Sequence, residues 1–233
     1  MSRKKVSPEA AWLNCRAPID GLPVVAKTAS PRRLRLFAVA CVRRVEDLCP
    51  AELAGPVRAA VEQAELFSDG KLTRTQLRQA REQFNAGYFS DEMTEGEVYA
   101  GDAVYAALES KLDRVLDAPL LVEYTVPGLA HDQGLPPTDP HRRAAELAVQ
   151  VRLMHDVFGN PFRPVTFDSA WRTSTAVGLA RTMYESRDFA AMPILADALE
   201  EAGCNSADVL AHCRGDGSHV RGCWVVDLVL GKT

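Results

Sequence analysis

The residues best suited to chemistry lie close together between positions 212 and 224 of the 233-residue chain. Two histidines, two cysteines, two arginines and a tryptophan fall there, in the order His212, Cys213, Arg214, His219, Arg221, Cys223 and Trp224. Thiolate sulfur and imidazole nitrogen are the donors that zinc prefers in proteins. His212, Cys213, His219 and Cys223 are therefore candidate metal ligands, with zinc as the candidate ion.

The spacing of these donors does not match a zinc motif. Structural zinc sites usually supply their ligands as Cys-x₂₋₄-Cys or His-x₃₋₅-His pairs, and the chain contains neither. Eight residues separate Cys204 from Cys213, and nine separate Cys213 from Cys223. Reduced cysteines also pack as small apolar side chains in helical cores. A metal site and a plain structural role both remain open.

Two further kinds of chemistry are open to this segment. A cysteine with His219 as its base would form a nucleophilic pair, but no nucleophile-elbow glycines surround either cysteine, so no catalytic residue is assigned. The glycine-rich run 214–219 precedes an expected helix, whose free N–H groups can hold an anion. Arg214 and Arg221 are the candidate anion-binding residues there, although Asp216 opposes an anion.

The arginine-rich helix expected over residues 31–48 is a candidate nucleic-acid surface. Residues 1–44 carry ten Lys/Arg against two Asp/Glu, whereas residues 45–140 carry seven against eighteen. The acidic middle segment therefore offers these arginines internal partners, which disfavours DNA or RNA binding. The candidate contacts are Arg32, Arg33, Arg35, Arg43 and Arg44.

The bulk composition is that of an ordinary globular protein, with 47% hydrophobic and 25% charged residues and a net charge of −4. No apolar run of about eighteen residues is present, which argues against a membrane partner. The basic first residues lead into no hydrophobic signal region. We therefore expect a cytoplasmic protein whose six cysteines are reduced.

Helical patterning runs through almost the whole chain. Ser7-Pro8 and Ser30-Pro31 each place a capping residue before a proline in the first helical turn. Capping boxes at Thr73–Gln76 and Thr94–Glu97 begin two more helices. The sequence predicts an all-α fold, an orthogonal array of about nine or ten helices that form one domain or two sub-bundles.

A stretch rich in proline and glycine, residues 125–140, interrupts the helical pattern. We interpret it as a linker or ordered loop between an N-terminal helical region, 1–124, and a C-terminal helical region, 141–233. The segment 220–230 is rich in β-branched residues, which favour strands. Helix remains the favoured assignment because no partner strand is evident elsewhere.

Both ends of the chain carry blocks of a family signature. The first blocks are Trp12-Leu13-Asn14-Cys15 and the helix that begins Arg33-Leu34-Arg35-Leu36-Phe37-Ala38, and the later ones are Gly159 to Pro164, Trp171 and the segment from His212 to Trp224. In these blocks the chain resembles an uncharacterised bacterial family of paralogous proteins, of the kind expanded in planctomycetes. The resemblance implies a shared structural signature and supplies no activity, cofactor or partner.

The function that the sequence favours is a non-enzymatic helical interaction or adaptor module whose partner is another protein. It rests on a strong core pattern without a coherent catalytic set. The alternatives are a metal- or anion-binding site, with or without catalysis, in the C-terminal His/Cys/Arg cluster, and nucleic-acid binding through the 31–48 helix. No cofactor is predicted apart from zinc in the metal alternative.

Overall fold

A computed structural model describes residues 6–46, 49–88, 93–132 and 140–232. These residues form thirteen α-helices, one short 3₁₀ turn at Ser169–Trp171 and no strand. The helices are α1 (Pro8–Leu13), α2 (Pro18–Val25), α3 (Pro31–Glu46), α4 (Ala51–Ser68), α5 (Arg74–Tyr88), α6 (Glu95–Ala107), α7 (Leu112–Val115), α8 (Ala118–Asp132), α9 (Pro140–Phe158), α10 (Ser174–Ser186), α11 (Met192–Glu201), α12 (Ala207–Arg214) and α13 (Trp224–Leu230). The predicted all-α class is confirmed.

The helices outnumber the nine or ten that the sequence indicated, because three of them were not anticipated. Helix α2 contains a proline, Pro23, and α7 is a four-residue segment cut off from α6. The third is α8, which enters the predicted linker. Predicted helix caps are present in the structure. The Ser7 hydroxyl accepts a hydrogen bond from the Ala10 N–H at 3.1 Å, and Thr94 and Glu97 form a complete capping box.

The prediction of a linker or loop over residues 125–140 is wrong for its first half, since α8 continues to Asp132. Residues 133–139 lie outside the described part of the chain. Helix α8 packs along α6 and α3 and buries Ala118, Val122 and Thr125 there. This packing overrides the local preference of proline and glycine.

The chain divides into two compact units, and the division does not follow the predicted linker. Unit 1 comprises Met1–Cys15, Ile19–Thr28 and Arg152–Thr233, and unit 2 comprises Arg16–Pro18 and Ala29–Val151. The candidate chemistry of residues 212–224 therefore belongs to unit 1. No helix of the described residues combines the length and apolar character that a bilayer crossing needs.

The core of unit 1 is built by α10 to α13 and the 3₁₀ turn. Trp171, Met183, Leu195, Leu199 and Val226 are buried together in it. Full burial of each such side chain contributes about 1.5–3 kcal/mol. Helix α13 supplies three buried valines to this core, which explains its β-branched composition without a strand.

Phe162 does not anchor the core although it is a large apolar residue, because it is 39% exposed. The Asn160 side chain turns the chain outward here, since its Oδ1 accepts from the Phe162 N–H at 3.0 Å. The same block is held to α1 instead by polar contacts: Glu9 accepts from Asn160 at 2.8 Å and pairs with Arg163 at 2.6 Å.

Candidate metal centre

Four metal-binding side chains converge at one point in unit 1. Asp156 lies in the last turn of α9, His212 in α12, His219 in the turn that follows, and Cys223 at the N-cap of α13. One potential ligand atom from each lies within 4.8 Å of all the others. These residues are called the Asp-His-His-Cys cluster below.

The distances inside the cluster lie on either side of those of a tetrahedral ligand shell. With bonds of about 2.0–2.3 Å, a tetrahedral zinc ion separates its ligand atoms by roughly 3.3–3.6 Å. His212 Nε2 lies 3.2 Å from Asp156 Oδ1 and 3.1 Å from Cys223 Sγ. His219 Nδ1 lies 2.7 Å from Asp156 Oδ1 and 3.9 Å from Cys223 Sγ. Small movements of these side chains would admit an ion at their centre.

Asp156 is fixed so that one oxygen points into the cluster. Its Oδ2 accepts a hydrogen bond from the Val220 N–H at 2.9 Å, which leaves Oδ1 for His212 and His219. Burial alone would raise the pKa of Asp156, but the hydrogen bonds and charges of the two histidines outweigh it and hold the pKa below its ordinary value. The carboxylate is therefore ionised and available as a ligand.

The two imidazole rings are held by aromatic neighbours. The His212 and His219 rings meet edge to face with centroids 4.9 Å apart, and the Trp224 ring lies 5.2 Å from His212. The His219 side chain is only 7% exposed, and its Nε2 is buried without a hydrogen-bond partner among the described residues. His219 thus directs its Nδ1 to the cluster, while its other nitrogen is shielded from solvent.

Cys223 is fully buried and supplies the sulfur. Burial raises the pKa of its thiol well above the ordinary value, and the Asp156 carboxylate raises it further, whereas the backbone N–H groups of Val225 and Val226 act in the opposite direction. Without a cation the thiol stays protonated. A metal ion would supply the positive charge that ionises it.

The donor set favours one kind of ion. The Asp156 carboxylate and a Cys223 thiolate together carry two negative charges, which neutralise a buried divalent cation. Nitrogen and sulfur donors exclude Mg²⁺ and Ca²⁺, which take oxygen shells. Blue-copper sites hold their fourth ligand at long range, whereas Asp156 Oδ1 lies as near the imidazoles as Cys223 does. Zinc suits these donors best.

The structure brings together three of the four predicted metal ligands and leaves out Cys213. The Cys213 side chain is buried in the apolar core of α10 to α13. Neighbouring residues on a helix point about 100° apart, so the direction that places His212 in the cluster turns Cys213 away from it. The fourth ligand is Asp156 instead of Cys213. The only sign of it in the sequence is a single acidic residue among the mainly apolar residues at the end of α9.

A cysteine–histidine nucleophile is not supported. Burial raises the pKa of Cys213 to about 12 and that of Cys223 well above its ordinary range. A catalytic cysteine needs the opposite shift, because the thiolate is the nucleophile.

The candidate anion-binding arginines have protein partners. Arg214 bonds to Asp197 at 2.9 Å and to Glu200 at 2.5 Å, both on α11. Arg221 is buried, with its guanidinium 4.4 Å above the ring of Tyr184. Both guanidinium groups are thus engaged within the protein, although the Arg214 side chain is 42% exposed.

The candidate nucleic-acid arginines are likewise engaged within unit 2. Arg32 pairs with Asp69 at 3.0 Å, Arg43 with Glu65 at 2.6 Å and Arg44 with Glu146 at 2.9 Å. Arg35 is buried, stacked on Phe67, and donates to the carbonyls of Ala107, Glu109 and Ser110 at the end of α6. Arg33 also has a contact within the protein. These arginines hold α3 to its neighbours.

Comparison with known protein families, with curated proteins and with solved structures finds no match to this chain. The geometry of the Asp-His-His-Cys cluster is therefore the strongest indication of function.

Proposed function

We propose that unit 1 is a zinc-binding module whose Asp-His-His-Cys cluster holds one structural zinc ion. The observation that carries the proposal is the convergence of four donor atoms within 4.8 Å of one another, from a helix end, a second helix, a turn and an N-cap. Chance neighbours on a surface do not present one atom each to a common point in a buried location.

A structural role is favoured over a catalytic one because the protein itself supplies all four ligands. Catalytic zinc sites keep a coordination position open for water or substrate. Asp156, His219 and Cys223 are nearly or fully buried, and His212, at 18% side-chain exposure, is the ligand with the most contact with solvent. The ion would fasten the end of α9 to α12 and α13.

For the whole chain we propose a non-enzymatic interaction module that a metal stabilises. The raised pKa values of the buried cysteines disfavour a cysteine nucleophile. The partners of the arginines within the protein disfavour nucleic-acid binding. A protein partner that co-purifies with the metal-loaded chain and is lost on chelation would support the role. Measured turnover that depends on the metal would contradict it.

The metal proposal is tested on tag-free protein by elemental analysis and by Co²⁺ substitution. We expect one zinc per chain, and with Co²⁺ an intense near-ultraviolet thiolate-to-cobalt band together with the strong visible bands of a tetrahedral ion. Asp156→Asn, His212→Ala, His219→Ala and Cys223→Ser should each weaken binding by at least about tenfold.

Matched controls are available in the same unit. Cys15→Ser removes a half-exposed thiol outside the cluster, and Asp208→Asn removes an exposed carboxylate on α12. Both should bind zinc as the wild type does. Absence of stoichiometric zinc or cobalt from the folded wild-type protein would refute the site.

A further inference from the structure

We infer that the metal enters and leaves the Asp-His-His-Cys cluster on its His212 side, and that the ion pairs of Arg214 hold this side closed. The inference rests on the proposed zinc site and adds a means of controlling metal exchange. Arg214 is a positioning residue in this scheme, because it touches none of the ligand atoms.

The first support is the uneven burial of the ligands. The Asp156 and His219 side chains are 4% and 7% exposed and Cys223 is fully buried, whereas His212 is 18% exposed. A hydrated ion approaching from solvent therefore meets His212 first, and a departing ion loses His212 before the buried ligands.

The second support is the position of Arg214 in the chain. It follows His212 by two residues at the last turn of α12, and it begins the wholly exposed segment 214–218 that leads to His219. This segment joins two of the four ligands. Movement of the end of α12 away from the cluster would carry His212 with it.

The third support is how Arg214 is tied. Its guanidinium contacts both Asp197 and Glu200, which lie three residues apart on one face of α11. Because Arg214 contacts two carboxylates of α11, it holds the C-terminal end of α12 against α11 at two points. These pairs restrain the C-terminal end of α12, where the segment that leads to His219 begins.

Binding kinetics distinguish a residue that controls metal access from a residue that binds the metal. Loss of a ligand lowers affinity, whereas opening a gate speeds entry and exit together and leaves affinity nearly unchanged. Exposed ion pairs are individually weak, so we expect Arg214→Ala to raise both the association and the dissociation rate of Co²⁺ about three- to tenfold, with the dissociation constant within about threefold of wild type.

The experiment measures the growth of the thiolate-to-cobalt band after stopped-flow mixing, and its decay under excess chelator, in the full chain. Asp197→Asn/Glu200→Gln should reproduce Arg214→Ala, and Arg214→Lys should retain much of the wild-type rate. The control is Arg163→Ala, which removes another exposed ion pair of unit 1, with Glu9, away from α12.

The outcomes separate the gate from the site. Unchanged rates in Arg214→Ala, or rates no different from those of Arg163→Ala, would overturn the gate while the zinc site stands. A fall in affinity without a faster association would also overturn it, since Arg214 would then only stabilise the bound state. If wild-type protein binds neither Co²⁺ nor zinc, the proposed function has failed and the gate with it.

Discussion

The indole ring of Trp224 lies directly against the α-carbon of Gly159. A β-carbon built on Gly159 would fall 3.1 Å from Cγ of Trp224, closer than ordinary van der Waals contact. Gly159 also ends α9 with a left-handed φ of 64° and follows the metal-ligand candidate Asp156 by three residues. The packing of this pair thus sets where α9 stops and how Asp156 meets α13.

Gly159→Ala should therefore destabilise unit 1 and weaken metal binding together. The left-handed conformation costs a side-chain-bearing residue about 1–2 kcal/mol, and crowding of Trp224 adds to this. We expect a lower denaturation midpoint and a weaker cobalt affinity. Gly178→Ala on α10, where nothing lies within 4 Å of the new β-carbon, should instead stabilise by about 0.5–1 kcal/mol. Equal effects of the two substitutions would contradict this account.

Zinc should raise the thermal stability of the protein. Saturation at one hundred times the dissociation constant contributes about 2.7 kcal/mol, which for a chain of this size corresponds to roughly 5–10 °C in Tm. Calorimetry with zinc and with chelator measures the difference. Asp156→Asn should show little of this rise, and a rise of wild-type size in that variant would exclude Asp156 as a ligand.

Metal-free protein should lose stability as the pH rises above about 8.5. Burial raises the pKa values of Cys41, Cys213 and Cys223 in the folded state, so above the ordinary thiol pKa the unfolded chain releases protons that the folded chain keeps. The unfolded state then binds fewer protons, and the free energy of unfolding falls by up to about 1.4 kcal/mol per pH unit for each thiol.

Bound zinc should make this alkaline loss shallower, because a coordinated Cys223 is already ionised in the folded state. Denaturant titrations between pH 7.5 and 10.5, with and without metal, measure both slopes. Identical slopes for the two forms would argue against a Cys223–metal bond. Metal-free Cys223→Ser lacks this thiol and gives the slope that the zinc-bound wild type should approach.

Arg35→Met should destabilise unit 2 without changing metal binding. The substitution leaves the carbonyls of Ala107, Glu109 and Ser110 without their guanidinium donor, and an unsatisfied buried polar group costs about 1–3 kcal/mol. Chemical denaturation measures the loss, and the cobalt spectrum serves as the control. A neutral outcome would mean that water replaces the guanidinium at the end of α6.

Sequence reasoning recovered the helices whose signals are local. The caps at Ser7 and Thr94 and the apolar face of α3 each act over a few residues, and the structure contains them. It failed at α8, where packing against distant helices outweighs the proline and glycine content of the segment. Phe162 is also exposed despite its apolar side chain, and its neighbours Asn160 and Arg163 contact Glu9.

The candidate site was recoverable only in part for the same reason. His212, His219 and Cys223 drew attention because they are neighbours in sequence. Asp156 lies 56 residues before His212, and only the fold of unit 1 shows that the two meet. Cys213 was assigned with them because proximity along the chain does not reveal which way a helical side chain points.

The 56-residue offset between Asp156 and His212 has a consequence for the order of folding. Closing a long loop costs chain entropy before any contact compensates for it, and α10 and α11 lie within this loop. We therefore expect metal capture to follow the collapse of these two helices rather than to nucleate it. In kinetic experiments zinc should slow unfolding and leave the initial folding rate nearly unchanged. The ion would then bind late in folding, when the chain is already compact.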